Sequence, residues 1–174
     1  GCLESVCGVC LEVMASVDMG KLAQTAGAIV MMENVMSVQS YTKEITMGAE
    51  AEMYSGTKQM DEQGSGLGGM MLGSKKIIRS IVEPFMKHTG GAMSPFNAWM
   101  MVKSLETLDL RVRAQVATAT ELAGLLEQRG DLARVIYPGL PSHPQFALTQ
   151  AQMGAGGTVL ALDVVSKARA CSLV

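Results

Sequence analysis

Residues Met53 to Gly73 hold the pattern that most restricts this chain. An apolar segment ending at Tyr54-Ser55 runs into a polar, glycine-rich turn, and a second apolar segment, Leu67 to Leu72, leaves it. A chain presents side chains at the end of a strand in this way, and the ones presented are Ser55, Thr57 and Lys58. A lysine held in a partly dry site loses basicity, because desolvation disfavours the ammonium, and can then form a Schiff base with an aldehyde. The two hydroxyls before it can donate hydrogen bonds to a phosphate. Taken bare, Ser-x-Thr-Lys also describes a solvated loop lysine, since charged loop residues usually sit in water.

The flanking sequence alternates between two periodicities. Val17 to Thr25 carries apolar residues at helical spacing and stops at Gly27. Ala28 to Met32 is a short continuous apolar run, the signature of a strand buried on both faces. It ends in Glu33-Asn34. A carboxylate there sits where open α/β sheets keep their ligands, or it caps the following turn. Tyr41 to Met47 predicts a short helix stopped by Gly48, Ala51 to Ser55 a strand, Leu67 to Leu72 a third strand, and Lys75 to Met86 a helix capped by Ser74. Gly64, Gly66, Gly68 and Gly69 have the composition of a phosphate loop but the spacing of neither nucleotide motif, which leaves a turn with close backbone approach. Ser94 as N-cap and Pro95 at the first helical position open a long helix. Its apolar residues recur by threes and fours from Trp99 and Val102 to Leu122 and Leu126, and it ends near Arg129-Gly130. Strands over Ala133 to Tyr137 and Thr158 to Val165, with a short helix over Pro144 to Gln152, complete the pattern. The class is α/β, a sheet with covered faces. Three units are expected: residues 1–93, a linking helix over 94–130, and the start of an α+β unit over 131–174.

A net charge of -2 over 174 residues offers no excess for nucleic acid or an anionic membrane surface. No apolar run is long enough to span a bilayer, and the N-terminus does not read as a signal peptide, so a cytoplasmic enzyme-like domain is expected. The fifteen methionines, several in pairs, read as core packing, not as a metal-binding set. Cys7-Gly8-Val9-Cys10 is a CxxC that suits a redox pair or half a zinc site. His88 and His143 are not at finger spacing, so no metal is expected, and isolated thiols in a loop are the simpler reading.

Several segments together resemble one family. They are Ser55-Gly56-Thr57-Lys58, Leu67-Gly68-Gly69, His88-Thr89-Gly90, Ser94-Pro95-Phe96-Asn97-Ala98-Trp99, Lys103 to Leu108 with Arg111-Val112, and Tyr137 to Pro144. In order and spacing they are similar to the Cys/Met-metabolism family of pyridoxal-phosphate enzymes, over about Leu3 to Val164. The pattern is most similar to the O-succinylhomoserine sulfhydrylase branch, with cystathionine γ-synthases and the cystathionine and methionine γ-lyases as near relatives. The resemblance implies part of the large cofactor-binding domain of a fold-type I, aspartate aminotransferase-like enzyme, then a linking helix and the start of a small C-terminal domain. It implies pyridoxal 5'-phosphate as cofactor, with Lys58 the lysine that binds its aldehyde and moves protons, Ser55 and Thr57 binding the phosphate, and Glu33 facing the pyridinium nitrogen. It implies an amino-acid substrate, replacement of its γ-succinyl group by sulfide to give homocysteine, and a homodimer or homotetramer.

The departures from the family pattern matter as well. The family has an aspartate where Glu33 stands, so the charge is kept with one extra methylene. It has an asparagine where Gly8 stands, so that contact is missing. Family members are more than twice as long, and the ending from Val165 onward no longer follows the pattern. Two readings therefore stand: a portion of a cofactor-dependent sulfhydrylase or lyase, inactive by itself, or a non-catalytic remnant that associates through exposed edges and apolar faces.

Overall fold

A computed structural model describes residues 2–8, 10–37, 40–61 and 63–173. Val9 of the CxxC lies outside the described residues. Three short parallel strands, β1 (Cys2–Glu4), β2 (Met31–Glu33) and β3 (Ala51–Ser55), lie side by side, and β4 (Gly69–Gly73) joins β3 antiparallel. Leu3 pairs with Met32, and because side chains alternate across a strand these two share a face. Helix α1 (Ser16–Thr25) covers that face. Met32, 1% exposed, packs there with Ala23, Val30 and Ala49, a burial that contributes roughly 1.5–3 kcal/mol. The close approach of α1 depends on Gly20: a Cβ at that position would lie 2.7 Å from the Met47 carbonyl oxygen.

Met31, Ala51, Met53 and Met71 face the other way. Over them runs a helical stretch composed of α2 (Lys75–Ile77), a π-helical turn (Ile78–Val82) and α3 (Glu83–Thr89). An apolar groove of about 1240 Å³ lies between, and the stretch buries none of its residues fully. The expected Ser74 cap is present, its Oγ accepting the Ile77 N–H at 3.2 Å.

The long helix is in fact two, α4 (Pro95–Leu105) and α5 (Leu108–Glu127). It starts as read, with Ser94 Oγ accepting the Asn97 N–H at 3.2 Å. At the break, the Glu106 and Thr107 N–H groups turn back to the Lys103 and Ser104 carbonyls, a tighter three-residue closure than the α-helical one. Trp99 and Val102, read as core, are exposed. Helix α4 instead buries Met101, which fills the space beside Gly56 and Gly68. The reading of the methionines as core packing holds for Met32, Met60, Met101 and Met153, which are buried, and not for Met86, which is exposed. Beyond α5, β5 (Arg134–Ile136) pairs antiparallel with β6 (Ala161–Asp163), and α6 (Phe146–Gln152) and α7 (Lys167–Leu173) complete the chain. The side chains of Gln145 and Gln152 hydrogen-bond the backbone of Val13, Met14 and Ser16, tying the C-terminal segment to the loop before α1.

Other boundaries moved for local reasons. Strand β2 begins three residues after the start of its apolar run, because the Ala28 N–H closes α1 on the Ala23 carbonyl and the Val30 N–H is taken by the Glu50 carboxylate. Only Glu44–Met47 of the expected Tyr41 to Met47 helix forms, as a 3-10 turn ended by Gly48 at φ 108°. Neither β1 nor α7 was among the expected elements. Among the described residues no helix is long and apolar enough to cross a membrane.

Candidate functional site

Strand β3 delivers Ser55 to the carboxyl end of the sheet, and Gly56–Met60 follows as a wide turn closed by the Asp61 N–H on the Gly56 carbonyl at 2.9 Å. Within it Lys58 leaves helical geometry, at φ -91° and ψ -126°. The turn is held at both ends. The Gly56 N–H donates to the Gly68 carbonyl at 2.7 Å, and the Gly68 N–H reaches Thr57 Oγ1 at 3.4 Å. The buried Asp61 carboxylate accepts the Ser65 and Gly66 N–H groups at 2.6 and 3.2 Å, which is what the glycine-rich turn serves. A Cβ on Gly56 would meet the end of the Met101 side chain, so the glycine leaves room for Met101 where α4 meets the turn.

Arg111, on α5, clamps the same turn. Its guanidinium donates to the Gln59 carbonyl at 2.9 Å, the Met60 carbonyl at 3.0 Å and the Ser104 carbonyl at 2.9 Å, and Nε donates to Thr107 Oγ1 at 3.1 Å. One side chain thus joins the Lys58 turn to the α4–α5 break. The Gln59 side chain adds a 3.1 Å bond to Thr158 Oγ1. Thr57, Lys58 and Gln59 open on a cleft of about 780 Å³, walled on the far side by Gln115, Thr118 and Leu122 of α5 and by Thr158 to Leu160. Lys58 is exposed on this cleft, not held in a partly dry pocket as its sequence context suggested.

The carboxyl ends of β1 and β2 carry a buried polar network. Asn34, fully buried, donates through Nδ2 to the Thr42 carbonyl at 2.8 Å and the Tyr54 hydroxyl at 3.0 Å. Its Oδ1 accepts from Ser37 and lies 3.1 Å from Ser5 Oγ, which is also 3.0 Å from the Glu33 carbonyl. The Tyr54 hydroxyl donates to Glu52 at 2.6 Å, and Glu52 also accepts the Ile45 N–H at 2.5 Å. Burial, reinforced by that bond to Glu52, pushes the Tyr54 phenol well above its ordinary range, so it stays a neutral donor.

Thr57 and Lys58 therefore share one cleft. Ser55 opens instead on a crevice of about 10 Å³ with Asn34, Val35 and Gln59, and Glu33 lines neither cavity. Glu33 is half-buried and in register with Met53, two residues before Ser55, which puts Glu33 and Ser55 on one face of adjacent strands. The donor set suits a molecule with an aldehyde and a phosphate. Lys58 supplies an amine, Ser55 a hydroxyl, and the Thr57 hydroxyl keeps its own proton to donate because its oxygen is the acceptor in the Gly68 contact. Glu33 carries a carboxylate on the sheet face that also bears Ser55. Arg111 was quoted only as part of a motif, and Asn34 and Asp61 carried no role. Among the described residues no group of three or more His, Cys, Asp or Glu is placed to hold a metal.

Comparison with known proteins gives the chain a family. The chain is 44% identical over 155 residues to an O-succinylhomoserine sulfhydrylase of Mycobacterium tuberculosis, a match covering 86% of this chain and 38% of the relative. To the O-succinylhomoserine sulfhydrylase of Pseudomonas aeruginosa it is 35% identical over 162 residues, covering 93% and 40%. The solved structure of a cystathione gamma lyase from Micromonospora echinospora superposes with a TM-score of 0.90 at 29% identity, over 94% of this chain and 43% of the other. A cystathionine gamma synthase from Xanthomonas oryzae pv. oryzae, at 24% identity and a TM-score of 0.95, shares the fold. The chain spans about two fifths of the length of these curated relatives. The superpositions bear out the α/β class and the fold-type I architecture. The family profile described as "Cys/Met metabolism PLP-dependent enzyme" matches residues 2–174, so the match includes the ending after Val164 that was read as departing from the pattern. By that match and those identities, the chain belongs to the Cys/Met metabolism family of enzymes that depend on pyridoxal phosphate.

Proposed function

We propose that this chain is the cofactor-lysine portion of an enzyme of the O-succinylhomoserine sulfhydrylase type, which replaces the γ-succinyl group of an amino-acid substrate by sulfide and releases homocysteine. The observation that carries this reading is the display of Thr57 and Lys58 on one turn at the carboxyl end of β3, clamped by Arg111 and opening on a cleft, with Ser55 on the strand end just before it. The 44% identity to a relative of that name supports the branch.

Bound at this turn, pyridoxal phosphate supplies an electron sink for a substrate carbanion. The chain's own residues do the rest. Lys58 Nζ takes the substrate's α-proton and moves protons between neighbouring carbons. Its place on an open cleft leaves the amine room to change partners. The Ser55 and Thr57 hydroxyls donate to phosphate oxygens, and the Glu33 carboxylate holds a proton on the ring nitrogen. Asn34 and Ser5 position the strand end that carries Glu33. The division into 1–93, 94–130 and 131–174, and assembly as a homodimer or homotetramer, belong to the same proposal.

The test is a titration of the chain with pyridoxal phosphate, followed by visible absorbance. A saturable band, lost in Lys58→Ala, is expected. A band of equal strength in Lys58→Ala would refute the assignment and leave the non-catalytic reading. In the whole protein, sulfide-dependent homocysteine formation from O-succinylhomoserine distinguishes the sulfhydrylase from a γ-lyase, which would release a keto acid without sulfide.

A further inference from the structure

The Cys7-Gly8-Val9-Cys10 stretch has no part in the proposed chemistry. Its two cysteines flank the tip of a small antiparallel loop. The Met14 N–H donates to the Ser5 carbonyl, Val6 bridges Val13, the Cys7 N–H donates to the Glu12 carbonyl, and the Leu11 N–H closes the tip on the Cys7 carbonyl, each bond at 2.9 Å. Leu11, at φ 52° and 2% exposed, anchors this tip in a cluster with Val6, Val13 and Met153. Both arms are therefore fixed, and the Leu11 N–H bond to the Cys7 carbonyl holds Cys7 and Cys10 within one closed turn. Cys7 is the strongest influence on the Cys10 thiol and pushes it up. Cys10 is exposed and Cys7 half-buried, so the pair meets solvent. The other two cysteines, Cys2 and Cys171, are free and exposed, on β1 and α7.

We propose that Cys7 and Cys10 form a reversible intramolecular disulfide, a redox site on the loop that leaves the carboxyl end of β1, with a low-molecular-weight disulfide as oxidant. One thiolate of the pair attacks a sulfur of the oxidant, forming a mixed disulfide and expelling one thiolate. The second cysteine, deprotonated in turn, attacks the protein sulfur of that mixed disulfide, forms the Cys7–Cys10 bond and expels the other thiolate. The two protons lost by the cysteines end on the two released thiols. The protein gives up two electrons and the oxidant takes them. The bond closes a loop whose base holds Ser5, within hydrogen-bond reach of the Glu33 carbonyl and Asn34.

The experiment incubates the reduced chain with oxidised glutathione over a series of glutathione ratios, blocks thiols with iodoacetamide and maps the peptides. A Cys7–Cys10 linked peptide, two hydrogens lighter than its reduced form, is expected at ratios where Cys2 and Cys171 are still alkylated or carry glutathione, and dithiothreitol reverses it. In Cys7→Ser and Cys10→Ser the remaining partner keeps its glutathione, at about ten times its level in the unsubstituted chain. Equal glutathionylation of all four cysteines in the unsubstituted chain, or links only between chains, would overturn the proposal. A bond that forms as readily in denaturant would overturn it as well, since sequence proximity and not the anchored loop would then make the pair.

Discussion

Arg111→Met keeps the aliphatic stem of the side chain and removes the guanidinium that spans the Lys58 turn and the end of α4. Three carbonyls, of Gln59, Met60 and Ser104, lose a charged donor. A hydrogen bond to a charged group contributes about 1.5–3 kcal/mol, but the bonds of one side chain do not add, and water reaches this half-exposed site, so a net loss of about 2–4 kcal/mol is expected. For a chain of this size that lowers Tm by roughly 5–15 °C. Amide hydrogen exchange reads the local effect: the Asp61 N–H, bonded to the Gly56 carbonyl, should exchange at least about tenfold faster, since tenfold corresponds to about 1.4 kcal/mol. Arg111→Lys should restore less than half of the stability, because an ammonium cannot reach three carbonyls with a planar fork. Unchanged exchange at residues 57–61 with a stability loss under about 0.5 kcal/mol would refute the clamp.

Glu44 gives a pH-dependent test. It is fully buried with neither carboxylate oxygen bonded, and burial, with Glu52 adding, raises its carboxyl pKa despite the nearby Ser16 hydroxyl. Because the folded value lies above the unfolded one, the folded state holds more protons between the two, and stability falls as pH rises through that window. Glu44→Gln should therefore stabilise the chain at pH 7–8 by about 1–3 kcal/mol, the gain disappearing below about pH 4; a gain that grows toward low pH in urea titrations would contradict this. Asn34→Leu strips the buried network of its centre and should cost about 2–4 kcal/mol in urea denaturation, a loss under about 1 kcal/mol arguing that water replaces the amide. Gly20→Ala drives a methyl toward the Met47 carbonyl and should destabilise by roughly 1–3 kcal/mol, whereas Gly124→Ala, in open space within α5, should stabilise by up to about 1 kcal/mol. Thermal melts that order these two variants the other way would show that α1 can shift away.

Features set by neighbouring residues were legible in the sequence. Ala51–Ser55 is a strand with the bounds its apolar run marked, and Ser74 and Ser94 cap the helices they precede. Gly69 and Gly68 lie in close backbone approach, as a glycine turn of that kind implies. What was missed depends on distant partners. The α4–α5 break is invisible because the apolar spacing runs straight through it, while the carbonyl of Ser104 is taken by Arg111. Trp99 and Val102 carry the periodic pattern yet lie exposed, since the space beside Gly56 and Gly68 selects Met101. Three residues were too few to mark β1 as a strand. Asn34, Glu44 and Glu52 carried no role in the sequence, and the fold buries all three. The Lys58 turn was legible as a motif, and its exposure as the bare reading of a loop lysine, but not its clamp.

The most direct measurement is borohydride reduction of the chain equilibrated with pyridoxal phosphate, followed by peptide mapping of the fixed label. Label confined to Lys58, near one equivalent per chain, is expected from the turn that displays this amine beside Ser55 and Thr57. Label spread over Lys21, Lys75, Lys87 and other surface lysines, with no preference for Lys58, would contradict the assignment of the site.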